Sequence, residues 1–324
     1  MNLEKISDKN VVVTGAAGFI GSHLVDKLVE LGNNVIGIDN FLSGRRENLS
    51  NALKKSNFKL AEGDIRDLEF LSTHFKEMDV IFHEAALTSV PGSVEDPKLC
   101  NEINVTGTLN VLEISRKHDI SKVVFASSCA IYGDSQNLPN KEDMGVNPVS
   151  PYGVSKLAAE AYVKAFHETY GLDTTALRYF NVFGPRQRDN PYSGVIAIFF
   201  GCISRKQGLN VFGDGKQTRD FVYVKDVVDA NLLASTSELA RGKIINVPGG
   251  SPITINELAR TILDITGNNG LNINHKPPRE GDILHSHGDI SRANALLGFT
   301  PKFNMKSGLK DYLNYLDENF EEKV

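Results

Sequence analysis

The feature that most constrains this chain is a short apolar segment that runs directly into three evenly spaced glycines. Residues 10–14 read Asn-Val-Val-Val-Thr, and Gly15, Gly18 and Gly21 follow at three-residue intervals. The apolar run is typical of a buried parallel strand, and the leucines of residues 19–31 recur at helical spacing. A strand, a glycine-rich turn and a helix in this order predict the first unit of a sheet with crossover helices.

The same alternation of strand and helix continues through the first half of the chain. Further short apolar strands are predicted at 35–38, 58–60, 80–82, 122–126 and 174–177, with helices at 98–117, at 152–170 and after Asp67. This pattern predicts an α/β fold, a doubly wound parallel sheet of the Rossmann type, with ligands at the carboxyl ends of the strands. After residue 184 the rhythm breaks, which indicates a smaller mixed α/β substrate-binding domain.

We therefore expect two domains. The first is a dinucleotide-binding Rossmann domain at residues 1–184, with return segments near 224–250, and the second comprises residues 185–324. The length of 324 residues exceeds one typical domain.

Composition excludes several function classes. The formal net charge of −5 argues against nucleic acid as a main partner. No apolar run is long enough for a membrane span, and the first ten residues lack the apolar core of a signal peptide. Cys100, Cys129 and Cys202 form neither a metal pattern nor a disulfide framework, so we expect a cytoplasmic protein.

The glycine turn predicts a dinucleotide site. Asp39 lies 18 residues past Gly21 at the end of the second strand, where a carboxylate can accept both ribose hydroxyls of NAD. Arg45 and Arg46 would suit the 2′-phosphate of NADP but equally fit a solvated loop, and Asp39 favours NAD. The residues expected around this cofactor are Gly15, Ala17, Gly18, Phe19, Ile20, Gly21, Asp39, Asn40, Gly44, Asp64, Ile65, Ala85, Ala86, Asn104, Ser127, Tyr152, Lys156 and Tyr179.

Three side chains predict proton transfer. Tyr152 and Lys156 are four residues apart, so on a helix they share one face. A fixed positive charge beside a phenol favours the phenolate and makes it a usable base. Ser128 follows the fifth strand, where its hydroxyl can assist at a substrate oxygen. Taken alone, this spacing means little, because most Tyr/Lys pairs of this kind belong to a solvated helix surface.

Together, Gly15, Gly18, Gly21, Ser128, Tyr152 and Lys156 resemble the pattern of the extended short-chain dehydrogenase/reductase family. In that family Lys156 would also bond the nicotinamide ribose. The segments Arg178–Pro185, Arg219–Val224 and Arg279–Asp282 are further similar to nucleotide-sugar 4-epimerases, and this similarity covers nearly the whole chain.

The resemblance implies the substrate contacts. Asn181, Arg219 and Arg279 would hold the diphosphate of a UDP-sugar, and two guanidinium groups can neutralise it. Val211 and Phe212 would pack against the uracil, although a Val-Phe pair also fits a core. The full set expected around the substrate is Ser89, Ser128, Tyr152, Asn181, Val211, Phe212, Arg219, Arg279, Asp282 and Ser286.

The residues after Ser128 separate this chain from similar families. Nucleotide-sugar 4,6-dehydratases carry Asp-Glu there, whereas this chain has Cys129 and Ala130, and UDP-glucuronate decarboxylases carry a Glu that is also missing. The resemblance therefore implies an isomerase, a UDP-sugar 4-epimerase with tightly bound NAD that is regenerated in each cycle.

The resemblance also bears on which sugar is used. Ser286 falls at the position that gates the pocket beside the 2-substituent of the sugar, and a small side chain leaves room for an N-acetyl group. We expect UDP-N-acetylglucosamine/UDP-N-acetylgalactosamine and UDP-glucose/UDP-galactose as substrates. A UDP-glucuronate 4-epimerase and a non-catalytic nucleotide-sugar-binding protein remain alternatives. His285 and His287 lack a third ligand, so no metal is expected.

The resemblance further implies a homodimer built on a four-helix bundle. The helices at 98–117 and 152–170 would form it. Their additional apolar positions either meet a second subunit or face their own sheet; they are Val105, Leu109, Leu112, Ala158, Ala161 and Phe166.

Overall fold

The computed structural model of this chain describes residues 6–187, 194–278 and 283–321. The strands are β1 (Asn10–Thr14), β2 (Asn34–Asp39), β3 (Phe58–Glu62), β4 (Val80–His83), β5 (Lys122–Ser128), β6 (Thr174–Tyr179), β7 (Asn181–Phe183), β8 (Leu209–Phe212), β9 (Thr218–Arg219), β10 (Phe221–Tyr223), β11 (Lys243–Val247), β12 (Ile253–Thr254) and β13 (Ile273–Lys276). The helices are α1 (Phe19–Glu30), α2 (Leu68–Phe75), α3 (Val90–Glu95), α4 (Pro97–Asn101), α5 (Gly107–Lys117), α6 (Pro151–Tyr170), α7 (Val195–Ser204), α8 (Val224–Thr236), α9 (Ile255–Ile265), α10 (Ser291–Leu297) and α11 (Met305–Glu321).

A seven-stranded sheet forms the centre of the molecule, in the order β11-β6-β5-β4-β1-β2-β3. Its strand pairs are all parallel, so every strand ends at the same edge. The chain reverses its direction of winding between β1 and β4, and such a switch point opens a crevice for ligands. The predicted doubly wound α/β fold is confirmed.

Both faces of this sheet are covered. Along β1, Val11 and Val13 belong to one apolar cluster and Val12 to another, because successive side chains of a strand point to opposite faces. Helices α1 and α8 pack against each other on the first side, and α2 contacts α5 on the second. A strand buried on both faces must be apolar throughout, which explains the continuous Val-Val-Val run.

The long helix expected at 98–117 is interrupted. A π-helical turn at Glu102–Thr106 separates α4 from α5. A Cβ atom on Gly107 would lie 2.5 Å from Cδ1 of Ile65, so the absence of a side chain allows α5 to pack closely on the loop after β3. The π-helical turn thus ends directly before the glycine at which α5 approaches this loop.

Both ends of helix α6 carry residues that favour helix termini. Ser150 accepts a hydrogen bond from the Gly153 N–H at 3.1 Å, and Pro151 occupies the first helical position. Gly171 ends the helix in the left-handed region at φ 72°. Two apolar residues that were candidates for a subunit interface, Leu112 and Phe166, are instead buried against their own sheet.

The C-terminal half contains a second core. Three two-stranded pairs, β10 with β7, β12 with β9 and β13 with β8, surround an apolar cluster that includes Phe199, Phe200 and Tyr312. In contrast, α8 and β11 return to the central sheet, where β11 pairs with β6. None of the described helices has both the length and the apolar character needed to cross a membrane.

Candidate active site

A cavity of about 560 Å³ opens along the carboxyl edge of the central sheet. The loops after β1 to β6 all reach it, as expected for a parallel sheet at its switch point. Of the residues predicted to bind a cofactor or substrate, those that line this cavity are Gly15, Gly18, Phe19, Ile20, Gly21, Asp39, Asn40, Asp64, Ile65, Ala85, Ala86, Ser89, Ser127, Ser128, Tyr152, Lys156 and Tyr179.

Close backbone contacts require glycine at two positions of the turn, Gly15 and Gly21. Gly15 has φ +68°, and a Cβ atom there would lie 2.8 Å from the backbone nitrogen of Ala85. A Cβ atom on Gly21 would collide with the backbone oxygen of Gly15. The turn therefore lies directly beneath the start of α1, whose exposed N–H groups can bind an anion.

Asp39 is fixed by the turn that it faces. Its Oδ2 accepts from the Ala17 N–H at 2.9 Å and its Oδ1 from the Phe41 N–H at 2.8 Å. Burial raises the pKa of this carboxyl, and the two backbone hydrogen bonds oppose the shift. Ala17 and Gly44 were expected to contact the cofactor but do not line the cavity. They pack around Asp39, since a Cβ atom on Gly44 would lie 2.7 Å from Asp39 Oδ1.

Asp64 forms the outer wall of the cavity after β3. It accepts hydrogen bonds from Asn40 Nδ2 at 2.9 Å and from Arg66 Nη2 at 2.7 Å. Chiefly because of the hydrogen bond from Arg66, the pKa of this carboxyl is lowered to about 2. Asn40 and Asp64 thus belong to one polar network near the end of β2.

Asn104 is placed behind the cavity, contrary to the expectation that it contacts the cofactor. Its Oδ1 accepts from the Leu87 N–H at 2.7 Å, and its Nδ2 donates to the Leu87 carbonyl at 3.0 Å and to Ser155 Oγ at 2.9 Å. Because the amide is saturated by these contacts, Asn104 joins the loop after β4 to helix α6 and does not face the cavity.

The three predicted proton-transfer residues meet at one place. Ser128 ends β5, Tyr152 lies in the first turn of α6, and Lys156 lies one turn further along that helix. Ser128 Oγ accepts from the Ala130 N–H at 3.1 Å. Burial raises the pKa of Tyr152 to about 12, and a hydrogen bond with Ser128 opposes this rise.

The expected effect of Lys156 on Tyr152 is not present in this arrangement. Lys156 Nζ donates to the backbone oxygen of Ala126 at 2.8 Å and lies 5.0 Å from the centre of the Phe125 ring. Burial lowers the pKa of this ammonium to about 8. Lys156 thus lines the cavity with its ammonium bound to the Ala126 carbonyl, and burial of the phenol is the largest influence on the pKa of Tyr152 in this arrangement.

Ser127 lines the cavity, but its hydroxyl points away from it. Its Oγ donates to Glu160 Oε2 at 2.6 Å. Because this hydroxyl already donates to Glu160, it is not available to donate to a cofactor in this arrangement.

A second cavity of about 420 Å³ adjoins the first, and Val182 and Gln187 line both. Among the predicted substrate residues, Asn181, Val211, Phe212 and Arg219 line this second cavity. Val211 is also part of the C-terminal core, being 1% exposed. Arg279 and Asp282 lie outside the described residues.

Ser286 lies beside Cys129, the residue that follows Ser128. It is mostly buried, its N–H donates to the Thr218 carbonyl at 3.1 Å, and its side chain hydrogen-bonds to Cys129. Burial raises the pKa of the Cys129 thiol to about 12, so this group stays protonated and cannot act as a base near neutral pH.

Asp220, which the sequence analysis missed, organises the loops around the second cavity. Its Oδ1 accepts from the Gly249 and Gly250 N–H groups at 2.8 and 3.1 Å, and its Oδ2 from the Gly288 N–H at 3.1 Å. Burial raises the pKa of this carboxyl. The sequence signal for Asp220 was its position directly after Arg219 in the segment Arg219–Val224.

Two further cavity residues, Glu84 and Arg186, were also missed. Arg186 pairs with Asp26 of α1, yet its buried Nη1 has no hydrogen-bond partner. An unsatisfied guanidinium nitrogen at a cavity that begins with a glycine turn fits an anionic group of a ligand.

The predicted absence of a metal site concerns His285 and His287. His285 Nδ1 hydrogen-bonds to Thr218 Oγ1 at 3.0 Å. Across residues 6–187, 194–278 and 283–321, no group of three or more His, Cys, Asp or Glu side chains is arranged to hold a metal ion.

Comparison with known proteins identifies the family. The model of the NAD dependent epimerase/dehydratase family matches residues 11–248. The chain belongs to this family. Its cofactor is NAD, and the glycine turn, Asp39 and the unsatisfied Arg186 nitrogen fit that group.

Solved structures extend the similarity over nearly the whole chain. The UDP-N-acetylglucosamine 4-epimerase of Methanobrevibacter ruminantium, in complex with UDP-N-acetylmuramic acid, is 42% identical with a TM-score of 0.92, covering 97% of this chain and 99% of that one. The UDP-glucose 4-epimerase of Thermotoga maritima, with UDP-glucose, is 40% identical with a TM-score of 0.91, covering 96% and 99%.

A third relative carries another sugar in its name. The UDP-glucuronate 4-epimerase of Thermodesulfobacterium geofontis is 36% identical, covering 96% of this chain and 97% of its own length. All three relatives are isomerases of one type. The predictions of an extended short-chain dehydrogenase/reductase fold, of the nucleotide-sugar 4-epimerase group and of an isomerase are confirmed.

Proposed function

We propose that this chain interconverts UDP-hexoses that differ in configuration at carbon 4 of the sugar, by reversible oxidation to a 4-keto sugar. The supporting observation is that Ser128, Tyr152 and Lys156 line a cavity containing the glycine turn, while Arg219 lines the cavity beside it. The residues proposed for proton transfer and the residue proposed for diphosphate binding thus line two adjoining cavities.

In this mechanism Tyr152 removes the proton from the 4-hydroxyl of the sugar and Ser128 hydrogen-bonds to the same oxygen. Bound NAD, held at the glycine turn and Asp39, would supply a reversible hydride acceptor. With its pKa at about 12, Tyr152 needs added positive charge to act as a base near neutral pH. Lys156 lies one helical turn away and provides that charge if its ammonium leaves the Ala126 carbonyl for the nicotinamide ribose.

The return of hydride to the opposite face requires the sugar to turn while its diphosphate stays bound. Arg219, together with Arg279 as implied by the family resemblance, would hold the diphosphate. Asn181 lines the second cavity beside Arg219 and would assist, while its Nδ2 also donates to the Asp220 carbonyl at 3.0 Å. We expect NAD to stay bound through many cycles.

We infer that the pocket accepts N-acetylated as well as plain hexoses, because the side chain at position 286 is small. Ser286 lines neither of the two cavities itself, and its contact with Cys129 places it next to the residue that follows Ser128. Cys129 and Ala130 also provide no carboxyl group for a dehydration step, and the thiol stays protonated.

The decisive experiment presents purified enzyme separately with UDP-glucose, UDP-N-acetylglucosamine and UDP-glucuronate and follows product formation by NMR. We expect epimers of the first two sugars. Exclusive turnover of UDP-glucuronate would contradict the assignment of Ser286 and favour the function of the T. geofontis relative. Failure to convert any of the three, with NAD bound, would favour a non-catalytic binding protein.

We further propose a homodimer in the cytoplasm. On α6, Val154 is 53% and Tyr162 41% exposed, and on α3, Val94 is 64% exposed. The small residue Ala161 is exposed on α6, and helices α3 and α4 both contact α6. These neighbouring exposed apolar residues would be buried by a second copy of the chain.

We also propose that the two halves of the chain bind different ligands. Residues 1–184, with the return segments near 224–250, would bind NAD, and residues 185–324 would bind the UDP-sugar. The pairing of β11 with β6 and the second apolar core support this division.

A further inference from the structure

A carboxyl group that the proposed mechanism does not use faces the cofactor cavity. Glu84 directly follows β4 and lines the cavity together with Tyr152, Lys156 and Tyr179. Its Oε1 accepts a hydrogen bond from the Tyr179 hydroxyl at 2.7 Å. That hydroxyl in turn accepts from Asn231 Nδ2 of α8 at 2.7 Å. The carboxyl is therefore held in one orientation from β6 and α8.

Glu84 and Lys156 act on each other through space. Burial raises the pKa of the Glu84 carboxyl to about 7, while the Tyr179 hydrogen bond and the charge of Lys156 oppose the rise. Burial lowers the pKa of Lys156, and the charge of Glu84 is the main opposing influence. The neighbouring His83 is kept neutral, because burial and the charge of Lys156 lower its pKa to about 3. Each charge thus favours the ionised form of the other.

The cofactor changes its charge during the reaction. The oxidised nicotinamide ring is a cation and the reduced ring is neutral. In a cavity with little water, a nearby carboxylate stabilises the cation and a nearby ammonium destabilises it. Lys156 without a counter-charge would therefore favour the reduced ring, from which the hydride must return to the sugar.

We propose that the Glu84 carboxylate is the counter-charge of Lys156 in the cofactor cavity and a positioning residue that keeps the bound nicotinamide oxidised between turnovers. This role rests on NAD as the cofactor, and its benefit to catalysis rests on the proposed function. If the keto sugar were lost from the site, the reduced cofactor left behind would have no acceptor for its hydride and the cycle would stop. A site that favours the oxidised cofactor reduces this loss of active enzyme.

A purely structural role predicts different behaviour. If Glu84 only joins β4 to β6, then Glu84→Gln should leave the cofactor's redox equilibrium unchanged, because the amide oxygen can still accept from Tyr179. If the charge matters, the same substitution removes it while preserving the hydrogen bond. Glu84→Asp retains the charge with a shorter side chain.

The test measures the ratio of NADH to NAD in the holoenzyme at equilibrium with a redox buffer, using the absorbance of the reduced ring. For Glu84→Gln we expect an increase of about tenfold in that ratio, a shift of about 30 mV for a two-electron couple. Glu84→Asp should stay near the wild-type ratio. The matched control is Glu62→Gln, which removes the same charge from an exposed position at the end of β3. Equal ratios for wild type and Glu84→Gln would overturn the proposal.

A second measurement covers the case in which Glu84→Gln does not fold or loses NAD. In the wild-type holoenzyme at pH 7, borohydride reduction of the ring removes a positive charge near Glu84 and should raise its pKa. We expect a protonated-carboxyl band in the infrared difference spectrum, shifted in Glu84→Asp. Absence of this band would contradict the proposal.

These results are independent of the substrate assays. A shifted ratio in an enzyme that converts no UDP-sugar would support Glu84 and refute the proposed function. Normal epimerisation with an unshifted ratio would support the proposed function and refute the role of Glu84.

Discussion

Glu160 accepts two hydrogen bonds from the guanidinium of Arg178 in the interior, at 2.9 Å from Nε and 2.7 Å from Nη2. Both side chains are almost fully buried. Glu160 also accepts from Ser127, which precedes the proposed catalytic serine. It lies one helical turn after Lys156, so this ion pair fixes α6 against β5 and β6. The position of the proposed catalytic residues thus depends on a buried charge pair.

Removing one partner of this pair should destabilise the protein strongly. In Glu160→Gln the Arg178 charge stays buried without a counter-charge, and we expect the free energy of unfolding to fall by about 3 kcal/mol. Urea denaturation followed by circular dichroism would measure this loss. The control is Glu113→Gln, which breaks a surface pair with Arg116 and should cost below about 1 kcal/mol. Equal effects of both substitutions would contradict the structural role of Glu160.

A second prediction concerns acid sensitivity. His83 is buried between Thr14 and Thr108, with hydrogen bonds of 2.7 and 2.9 Å, and burial lowers its pKa to about 3. The unfolded state therefore binds a proton below about pH 6.5 that the folded state does not. Stability from this group is present above pH 6.5 and is lost as the pH falls towards 3, with a limiting slope of about 1.4 kcal/mol per pH unit.

Replacement of His83 by Gln should reduce the pH dependence of unfolding between pH 4 and 6 by roughly this slope, even if stability at pH 7 also falls. Urea unfolding at several pH values would measure it. His275→Gln, at an exposed position on β13, is the control and should leave the slope unchanged. An identical slope in His83→Gln and wild type would show that His83 is not the responsible group.

The fold and the cofactor edge could be predicted because they depend on local patterns. The buried strands are apolar runs, and the turn after β1 needs glycine at positions that the backbone itself contacts. The carboxyl ends of parallel strands meet at one edge, so residues far apart in sequence, such as Gly15 and Ser128, could be assigned to one cavity. Neither inference required knowledge of side-chain orientation.

Other expectations failed because they depended on side-chain orientation. The Asn104 amide is used by Leu87 and Ser155, and the Ser127 hydroxyl by Glu160, and these pairings join distant segments. Lys156 could be placed on the same helix face as Tyr152, but the carbonyl of Ala126 receives its ammonium. Glu84 had no sequence signal, because its significance comes from burial beside Lys156.

The role of Tyr152 can be tested by removing one oxygen atom. Tyr152→Phe should lower kcat by about 100- to 10,000-fold, the range for loss of a positioned general base, while NAD remains bound. The control is Tyr162→Phe on the same helix, where the ring is 41% exposed and no catalytic role is proposed. Coupled spectrophotometric assays and the absorbance of bound cofactor give the two readouts. Unchanged turnover in Tyr152→Phe would refute its role as the base.

The size of the side chain at position 286 should determine which sugars are accepted. Ser286 is buried against Cys129, directly beside Ser128. In Ser286→Tyr a phenol ring would occupy the space proposed for the N-acetyl group. We expect kcat/KM for UDP-N-acetylglucosamine to fall by at least about tenfold, equivalent to about 1.4 kcal/mol, while UDP-glucose is still converted.

Ser286→Ala is the matched control for this prediction, because it removes the hydroxyl without adding volume and should retain both activities. Its hydrogen bond to Cys129 is lost, so any shared effect of the two substitutions reports that contact and not the pocket size. NMR assays with each sugar separate the outcomes. A steric limit at the 2-substituent must discriminate against the larger group. If Ser286→Tyr slows both substrates equally, the side chain at this position therefore affects catalysis in general and does not select between sugars.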